Sequence, residues 1–275
     1  MREWRLTRVH RGEFGEVRWD RLGDEGDPVV LLHGTPFSSA VWWAVARALA
    51  TRFRVHVWDM PGFGSSGKHA GQDVSLAAQG RVFAELLRAW GLRRPAVVAH
   101  DVGGAVALRA HLLHGAGYER LALVDPVALA PWGSPFFRLV GEHAAVFEQL
   151  PPALHGALVR EYIASASHRG LRGDVLDALA APWSGEAGAA AFHRQIAQAD
   201  QRHTDEIQPR YGELDLPVLV CWGAEDAWIP ARRGRELAAL VPGARLRLIP
   251  GAGHLVQEDA PAELSAALLD FLGSR

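Results

Sequence analysis

The segment VVAHDVGG contains Asp101, the residue of this chain best placed to act as a nucleophile. Small residues lie two positions before and two positions after it, at Ala99 and Gly103. Such flanks are typical of the sharp strand-to-helix turn that exposes a catalytic side chain, because larger neighbours would clash there. A carboxylate is already ionised at pH 7, so its position predicts attack on an electrophilic carbon. The simpler alternative is a helix N-cap, a common place for aspartate.

Two further segments supply a base and an acid. His254 follows the glycine-rich sequence GAG, and Asp226 lies in WGAED after an apolar run. We predict that His254 activates water and that Asp226 accepts a hydrogen bond from its ring and fixes the tautomer. Asp125 also follows an apolar run and is the alternative acid.

The sequence HGTP follows the first apolar run and predicts a site for negative charge. A glycine at position 34 lets the backbone turn back toward Asp101. The backbone N–H groups of Thr35 and Val102 would then point at one oxygen and form an oxyanion hole.

Short apolar runs alternate with longer helical patterns, and these elements must position the residues above. The runs resemble strands buried on both faces of a parallel sheet and cover 29–32, 55–58, 96–99, 121–124, 218–222 and 246–249. The helical patterns cover 39–50, 74–90, 102–114, 232–240 and 260–272. Residues 4–9 and 13–19 predict an antiparallel hairpin. The alternation predicts an α/β fold with a mostly parallel sheet flanked by helices.

The alternation stops between residues 127 and 216, where prolines interrupt a segment rich in alanine and histidine. This segment lacks an apolar run of the kind that predicts a buried strand. We therefore predict a helical lid inserted between two strands, with residues 1–126 and 217–275 forming the core; connections of this length usually have a function.

Composition excludes several classes of protein. The formal charge is -2 without a basic stripe, so a nucleic-acid partner is not expected. A charged N-terminus and the lack of a long apolar run predict a cytoplasmic protein without membrane contact, either a monomer or a homodimer. The single cysteine, Cys221, excludes an intramolecular disulfide and a thiolate metal cage. The sequence GFGSSG fits a dinucleotide fingerprint, but a loop follows it, so a cofactor is not expected. His111 and His114 lie three residues apart in a helical pattern without a third ligand, so a metal is not expected.

The motifs HGTP and HDVGG make the chain similar to the α/β-hydrolase superfamily over nearly its full length. Within it, the aspartate resembles the branch of epoxide hydrolases and haloalkane or fluoroacetate dehalogenases. The resemblance implies a lid between the sixth and seventh family strands and a two-step reaction through an alkyl-enzyme ester. It also keeps Asp125 open as the acid, because several dehalogenases carry theirs after the sixth strand.

Departures from the family pattern bear on the substrate. Haloalkane dehalogenases usually bind halide with a tryptophan at the position of Val102 and an asparagine at the position of Thr35. Fluoroacetate dehalogenases usually carry an arginine at the position of Val102. Epoxide hydrolases usually present two lid tyrosines, for which this chain offers Tyr162 and Tyr211. Other lid donors are His143, His155, His193, His203, Trp132 and Trp183.

These observations favour a hydrolase with Asp101 as nucleophile, most of all one that opens a small, mostly apolar epoxide to a diol. Trp132, Tyr162 and Trp183 are expected to bind the substrate. The alternatives are a dehalogenase, an esterase or lactonase, and a non-catalytic protein that binds a ligand on a retained hydrolase scaffold.

Overall fold

The computed structural model describes residues 4–274, in which eight strands form one sheet. The strands are β1 (Arg8–Gly12), β2 (Gly15–Leu22), β3 (Pro28–Leu32), β4 (Arg54–Trp58), β5 (Ala96–His100), β6 (Arg120–Val124), β7 (Val218–Gly223) and β8 (Arg245–Ile249). Their order across the sheet is β1-β2-β4-β3-β5-β6-β7-β8. The pairs β1–β2 and β2–β4 are antiparallel and the other pairs are parallel, which confirms the predicted α/β fold.

Helices connect most of these strands. In chain order they are α1 (Trp43–Leu49), α2 (Leu76–Ala89), α3 (Val102–His114), α4 (Pro135–Glu142), α5 (Ala144–Phe147), α6 (Pro152–Ala164), α7 (Gly173–Ala180), α8 (Gly185–Ala197), α9 (Arg202–Asp205), α10 (Arg232–Leu240), α11 (Val256–Asp259) and α12 (Pro261–Gly273). Short 3-10 turns cover Ser39–Trp42, Ala181–Trp183 and Gln208–Glu213. In the core, α2 packs against α3 and α1 packs against α12.

Each apolar run of the sequence lies inside a strand, because continuous burial is what the middle of this sheet requires. Strands β3 to β7 are buried at nearly every position. The expectation of burial on both faces is wrong for β8, which lies at the edge of the sheet and exposes its first three residues. The N-terminal hairpin is present, but its first strand begins at Arg8 and not at residue 4.

The chain between β6 and β7, which we call the inserted segment (127–216), contains α4 to α9 and lacks a strand among its residues, all of which the structure describes. Its apolar side chains join the core, including Val159, Phe192 and Ile207. The loops after β3, β5, β6, β7 and β8 therefore open toward a helical layer. Across residues 4–274, helices both long and apolar enough for a membrane span are absent.

Candidate active site

The backbone at Asp101 makes the sharp turn that its small neighbours predict. Asp101 separates β5 from α3 and has a φ of 51° and a ψ of -125°, a strained conformation for a residue other than glycine. A Cβ at Gly34 would lie 2.4 Å from the Cβ of Asp101, so the loop after β3 approaches the turn only because that residue is glycine. Asp101 does lie at the N-cap position of α3, but its side chain makes no capping hydrogen bond, so helix capping does not account for this carboxylate.

The two carboxylate oxygens of Asp101 face different partners. Oδ1 accepts a hydrogen bond from the backbone N–H of Thr35 at 2.7 Å. The backbone N–H of Val102, at the start of α3, acts to lower the pKa of this carboxylate. Oδ2 lies 3.4 Å from Nε2 of His254. Oδ1 is thus held by the backbone N–H of Thr35, whereas Oδ2 faces the imidazole.

The imidazole of His254 lies between two carboxylates. Its Nδ1 lies 2.8 Å from Oδ2 of Asp226, and the side chains of both residues are fully buried. Oδ1 of Asp226 accepts hydrogen bonds from the backbone N–H groups of Trp228 and Ile229 at 2.7 and 2.9 Å. These bonds hold the carboxylate in the orientation that fixes the ring of His254.

Asp125 is buried beside this group but does not bond the imidazole. Its Oδ1 accepts from the backbone N–H of Gly223 at 2.9 Å, and its Oδ2 lacks a hydrogen-bond donor among the residues that the structure describes. Asp125, Asp226 and His254 each place one polar atom within 4.8 Å of the others. Asp226 is thus the residue whose carboxylate accepts the hydrogen bond from the ring of His254. Asp125 lies close to both residues without a hydrogen bond to that ring.

Charge couples His254 to Asp101. Burial acts to lower the pKa of His254, but the carboxylates of Asp226 and Asp101 outweigh it and raise that pKa well above the usual value. Burial acts to raise the pKa of Asp101, but the adjacent His254, with His100 and the backbone N–H of Val102, outweighs it and lowers that pKa. Both shifts favour an ionised carboxylate at Asp101 and a cationic imidazole at His254.

A small pocket opens over the carboxylate of Asp101. Its lining consists of Thr35, Asp101, Val102, Val127, Trp132, Gly133, Ser134, Phe137, Tyr162, Trp228 and Ile229. The space open to the centres of water-sized molecules is about 30 Å³, and one water needs about 10–15 Å³. In this conformation the pocket admits only a small ligand. The lining is mostly apolar, with the hydroxyl groups of Ser134 and Tyr162 among its polar exceptions.

The structure places Trp132 and Tyr162 in this pocket but not Trp183. The indole N–H of Trp183 donates to the carbonyl oxygen of Pro36 at 2.6 Å, and its ring packs between Phe63 and Phe192. A buried N–H needs an acceptor, and for Trp183 the acceptor lies in the loop after β3. This hydrogen bond therefore connects the inserted segment to that loop. The expectation that it lines the cavity is wrong.

The second lid tyrosine and the lid histidines also point elsewhere. The hydroxyl of Tyr211 donates to the carbonyl oxygen of Ala128 at 2.7 Å. A ring nitrogen of His155 bonds the carbonyl of Trp183. His143 is exposed, and His193 and His203 lie outside the pocket lining. Tyr162 is therefore the lid tyrosine that faces Asp101.

A family model described as alpha/beta hydrolase fold matches residues 27–261 of this chain. The chain belongs to the alpha/beta-hydrolase fold family. This membership agrees with the sheet order, the sharp turn at Asp101 and the order of Asp101, Asp226 and His254 along the chain. The protein is accordingly an enzyme of hydrolase type.

Several known alpha/beta hydrolases and related enzymes are similar to the chain. The crystal structure of an alpha/beta hydrolase fold protein from Burkholderia ambifaria is 48% identical, with a TM-score of 0.94, and the match covers 97% of this chain and 98% of that one. Haloalkane dehalogenase 2 of Mycobacterium tuberculosis is 28% identical over 90% of this chain and 88% of its own length. The pimeloyl-[acyl-carrier protein] methyl ester esterase of Edwardsiella ictaluri is 28% identical over 94% and 97%.

Sequence reasoning missed Trp228, which holds three parts of this alpha/beta-hydrolase site together. Its N–H bonds Asp226, its ring stacks on His254 with centroids 5.0 Å apart, and its other neighbour is Tyr162 at 4.5 Å. Its indole N–H donates to the hydroxyl of Ser165. The only sequence feature that could have indicated this role is the position of Trp228, two residues after Asp226.

Asp259 is a second residue that the sequence did not single out. Its carboxylate accepts from the backbone N–H groups of Gly253 and His168, both at 2.8 Å, and from the hydroxyl of Ser167. It thereby connects the loop before His254 to the inserted segment. A buried aspartate in a helical pattern carries no sequence signal for such a contact.

Proposed function

We propose that this hydrolase forms a covalent ester between Asp101 and the carbon skeleton of its substrate, and that epoxides opened to diols are its preferred substrates. The observation that carries the proposal is that the two carboxylate oxygens of Asp101 have different neighbours. Oδ1 rests against the N–H of Thr35 at 2.7 Å, and Oδ2 faces His254 across 3.4 Å. A carboxylate placed in this way has a free oxygen for attack and a bound oxygen whose charge is stabilised.

The donors around the pocket favour an epoxide over a halide. Tyr162 and Ser134 line the cavity, and a phenol can protonate the oxygen of an opening ring. A site that binds a halide ion needs N–H donors that are not already hydrogen-bonded. The indole N–H of Trp132 is bonded to the hydroxyl of Thr204 at 2.7 Å, and that of Trp228 is bonded to Ser165.

Tyr162 is protonated before the reaction. Burial raises its pKa, and the nearby Asp101 carboxylate raises it further, although the hydroxyl of Ser134 acts in the opposite direction. The phenol thus keeps its proton until a strong base appears beside it. The alkoxide that a breaking epoxide releases is such a base.

In the first step, Oδ2 of Asp101 attacks a ring carbon of the epoxide. The carbon–oxygen bond breaks, and the ring oxygen takes the phenolic proton of Tyr162. The new ester is uncharged, so the pKa of His254 falls. The proton of His254 then restores the phenol through exchange with solvent, and the imidazole becomes neutral.

In the second step, neutral His254 takes a proton from water, and the resulting hydroxide attacks the ester carbonyl carbon of Asp101. Negative charge develops on Oδ1, where the N–H groups of Thr35 and Val102 stabilise it. The ester bond breaks, the diol leaves, and the site returns to a carboxylate beside a cationic imidazole. Atoms and protons balance as one epoxide and one water for each diol.

The inserted segment (127–216) acts in this proposal as a cap that closes the site. It supplies Trp132, Ser134, Phe137 and Tyr162 to a pocket that admits about two water-sized molecules. A lining of that size and apolar character suits a small, mostly apolar electrophile. We assign residues 1–126 and 217–275 to the catalytic core, in the cytoplasm.

A dehalogenase is the second candidate, supported by the similarity to haloalkane dehalogenase 2. The covalent step would be the same, with a halide as leaving group. An esterase or lactonase is a third, supported by the similarity to the methyl ester esterase.

A substrate panel separates these reactions. Small epoxides and chloro- or bromoalkanes of matched size are scored for diol and for free halide, and activated esters and lactones are scored for acid. We expect diol formation to be fastest, and we expect Tyr162→Phe to slow epoxide turnover by about 10²-fold or more, the usual size of general-acid catalysis. Asp101→Ala should abolish every activity that belongs to this site. Halide release without diol formation across the panel would contradict the epoxide proposal.

A further inference from the structure

Asp125 is a buried carboxyl group that the proposed mechanism leaves without a role. Its backbone φ is 42°, a conformation that residues other than glycine seldom adopt, so it is held there by the surrounding structure. It is fully buried, and its Oδ2 lacks a donor among the described residues. An oriented, unsatisfied polar atom of this kind needs an explanation.

Asp226, which bonds His254, is an acidic neighbour of Asp125, and a carboxylate oxygen of each lies within 4.8 Å of the other. Two buried carboxylates this close repel each other strongly, so one of them is expected to hold a proton. Asp226 already accepts two backbone N–H bonds and faces the ring of His254 at 2.8 Å. Asp125 accepts a single bond, from Gly223. The proton therefore belongs to Asp125.

We infer that Asp125 is a neutral carboxylic acid that donates its proton in a hydrogen bond to Asp226, so that the acid of the triad is a pair of carboxyl groups with one charge. The inference deepens the proposed function, because it rests on Asp226 as the partner of His254. In this arrangement Asp125 is a positioning residue, which acts on the reaction only through Asp226 and His254.

Electrostatics agree with the geometry. Burial raises the pKa of Asp125 well above its usual value, and the charge of Asp226 raises it further, while His254 acts in the opposite direction. Cys221 also faces this group; burial and the proximity of Asp125 raise the pKa of its thiol to about 12, so it is neutral. Burial and His254 lower the pKa of His100 to about 3, so its ring is neutral too.

The consequence for catalysis concerns the basicity of His254. A second full negative charge behind Asp226 would hold the proton on His254 more firmly and would keep the imidazole cationic after ester formation. A neutral donor has the opposite effect, because its hydrogen bond reduces the charge that His254 meets. Asp125 thereby helps His254 to become a base when water must be activated.

The first test locates the proton without any substrate. Protein labelled with ¹³C at aspartate carboxyl carbons is titrated by NMR, and the signal of Asp125 is assigned by its loss in Asp125→Asn. We expect a carboxyl that remains protonated through neutral pH in the wild type. A signal that titrates as an ordinary ionised aspartate would overturn the inference, whatever the reaction of the enzyme is.

The second test uses the acid limb of the pH profile of kcat, measured with a substrate that the enzyme turns over. Asp125→Asn keeps a neutral donor to Asp226, so we expect the limb to stay in place and kcat to remain within about threefold of wild type. Asp125→Leu lacks the donor, so the limb should move to higher pH by about one unit.

An ionised Asp125 would give a different pH profile. If Asp125 carries a charge in the wild type, Asp125→Asn removes a negative charge near His254, and the acid limb moves to lower pH. That shift would refute the shared proton. A divalent metal that is bound to the purified protein and is lost in Asp125→Asn would also refute the shared proton. In that case the cation would balance the negative charges of Asp125 and Asp226.

Discussion

Nε2 of His254 lies 3.4 Å from Oδ2 of Asp101, beyond the usual length of a good hydrogen bond but well within the reach of charge. Each group stabilises the ionised form of the other, as the raised pKa of His254 and the lowered pKa of Asp101 indicate. An ester on Asp101 removes one of these charges. The reaction itself would therefore convert His254 from an acid to a base at the point where water must be activated.

Replacement of His254 should separate the two steps. In His254→Gln, Asp101 keeps its carboxylate and its bond from the backbone N–H of Thr35, so alkylation should proceed while hydrolysis stalls. We expect a covalent adduct on Asp101, seen by intact-mass measurement and peptide mapping as a gain equal to an epoxide, or to a haloalkane minus HX. Asp101→Ala should form neither adduct nor product. Turnover by His254→Gln at the wild-type rate would contradict this mechanism.

The two steps should also differ in their pH dependence. Asp101 has a lowered pKa and stays ionised down to acidic pH, so the rate of adduct formation should change little between neutral pH and the usual aspartate range. Hydrolysis needs neutral His254 and should slow as pH falls through the pKa of His254 in the ester. Rapid-quench measurement of both steps across pH tests this, and an adduct-formation rate that falls in parallel with hydrolysis would speak against it.

The two acids near His254 should differ in importance. Asp226→Asn removes the carboxylate that bonds Nδ1 of His254 at 2.8 Å and leaves the tautomer unfixed. A loss of about 10⁴-fold in kcat is the size seen for such a change in serine triads. Asp125→Asn should cost far less, because Asp125 does not touch the ring. The reverse ranking in folded variants would transfer the role to Asp125.

Trp132 and Phe137 should control the size of substrate that reaches Asp101. Both residues line the inner pocket, and both also line an outer cavity with about 330 Å³ open to water-sized molecules. These two residues are thus shared by the linings of the two spaces. Trp132→Ala should raise kcat/KM for bulky epoxides relative to small ones. The exposed Leu139 of the same inserted segment offers a control, since Leu139→Ala should leave this ratio unchanged.

Trp183 should matter for stability more than for selectivity. Trp183→Phe removes the donor that bonds Pro36 and leaves a buried carbonyl unpaired, at a cost of about 1–3 kcal/mol in the free energy of unfolding. Trp58 is a matched control, because it is equally buried and its indole N–H lacks a partner among the described residues. Urea unfolding of Trp183→Phe and Trp58→Phe compares them, and equal losses would refute the anchoring role.

Local pattern was enough to predict the scaffold and the central residue of the site. The apolar runs locate the strands to within one residue for β3 to β8, because continuous burial demands continuous apolar sequence. The helical pattern 102–114 coincides with α3. The turn at Asp101 needs small residues at fixed offsets, and a steric rule of that kind is visible in a few consecutive letters.

The pattern was less informative where elements are short or lie at an edge. The residues of β8 alternate in polarity, yet their exposure depends on the absence of a neighbouring strand, which sequence does not state. The four-residue helix α11 is too short to show a period. The residues of the inserted segment predict helices, but their periodicity does not say which faces meet the core.

The sequence by itself determined the fold class, the turn that presents Asp101, and the chain order of Asp101, the two candidate acids and His254, because each depends on spacing along the chain. The tertiary structure decided that Asp226 and not Asp125 bonds His254, that Tyr162 faces the pocket while Tyr211 and Trp183 do not, and that Trp228 stacks on the imidazole. These are distances between side chains far apart in sequence. They arise only when the loops after five strands and the helices of the inserted segment pack at one edge of the sheet.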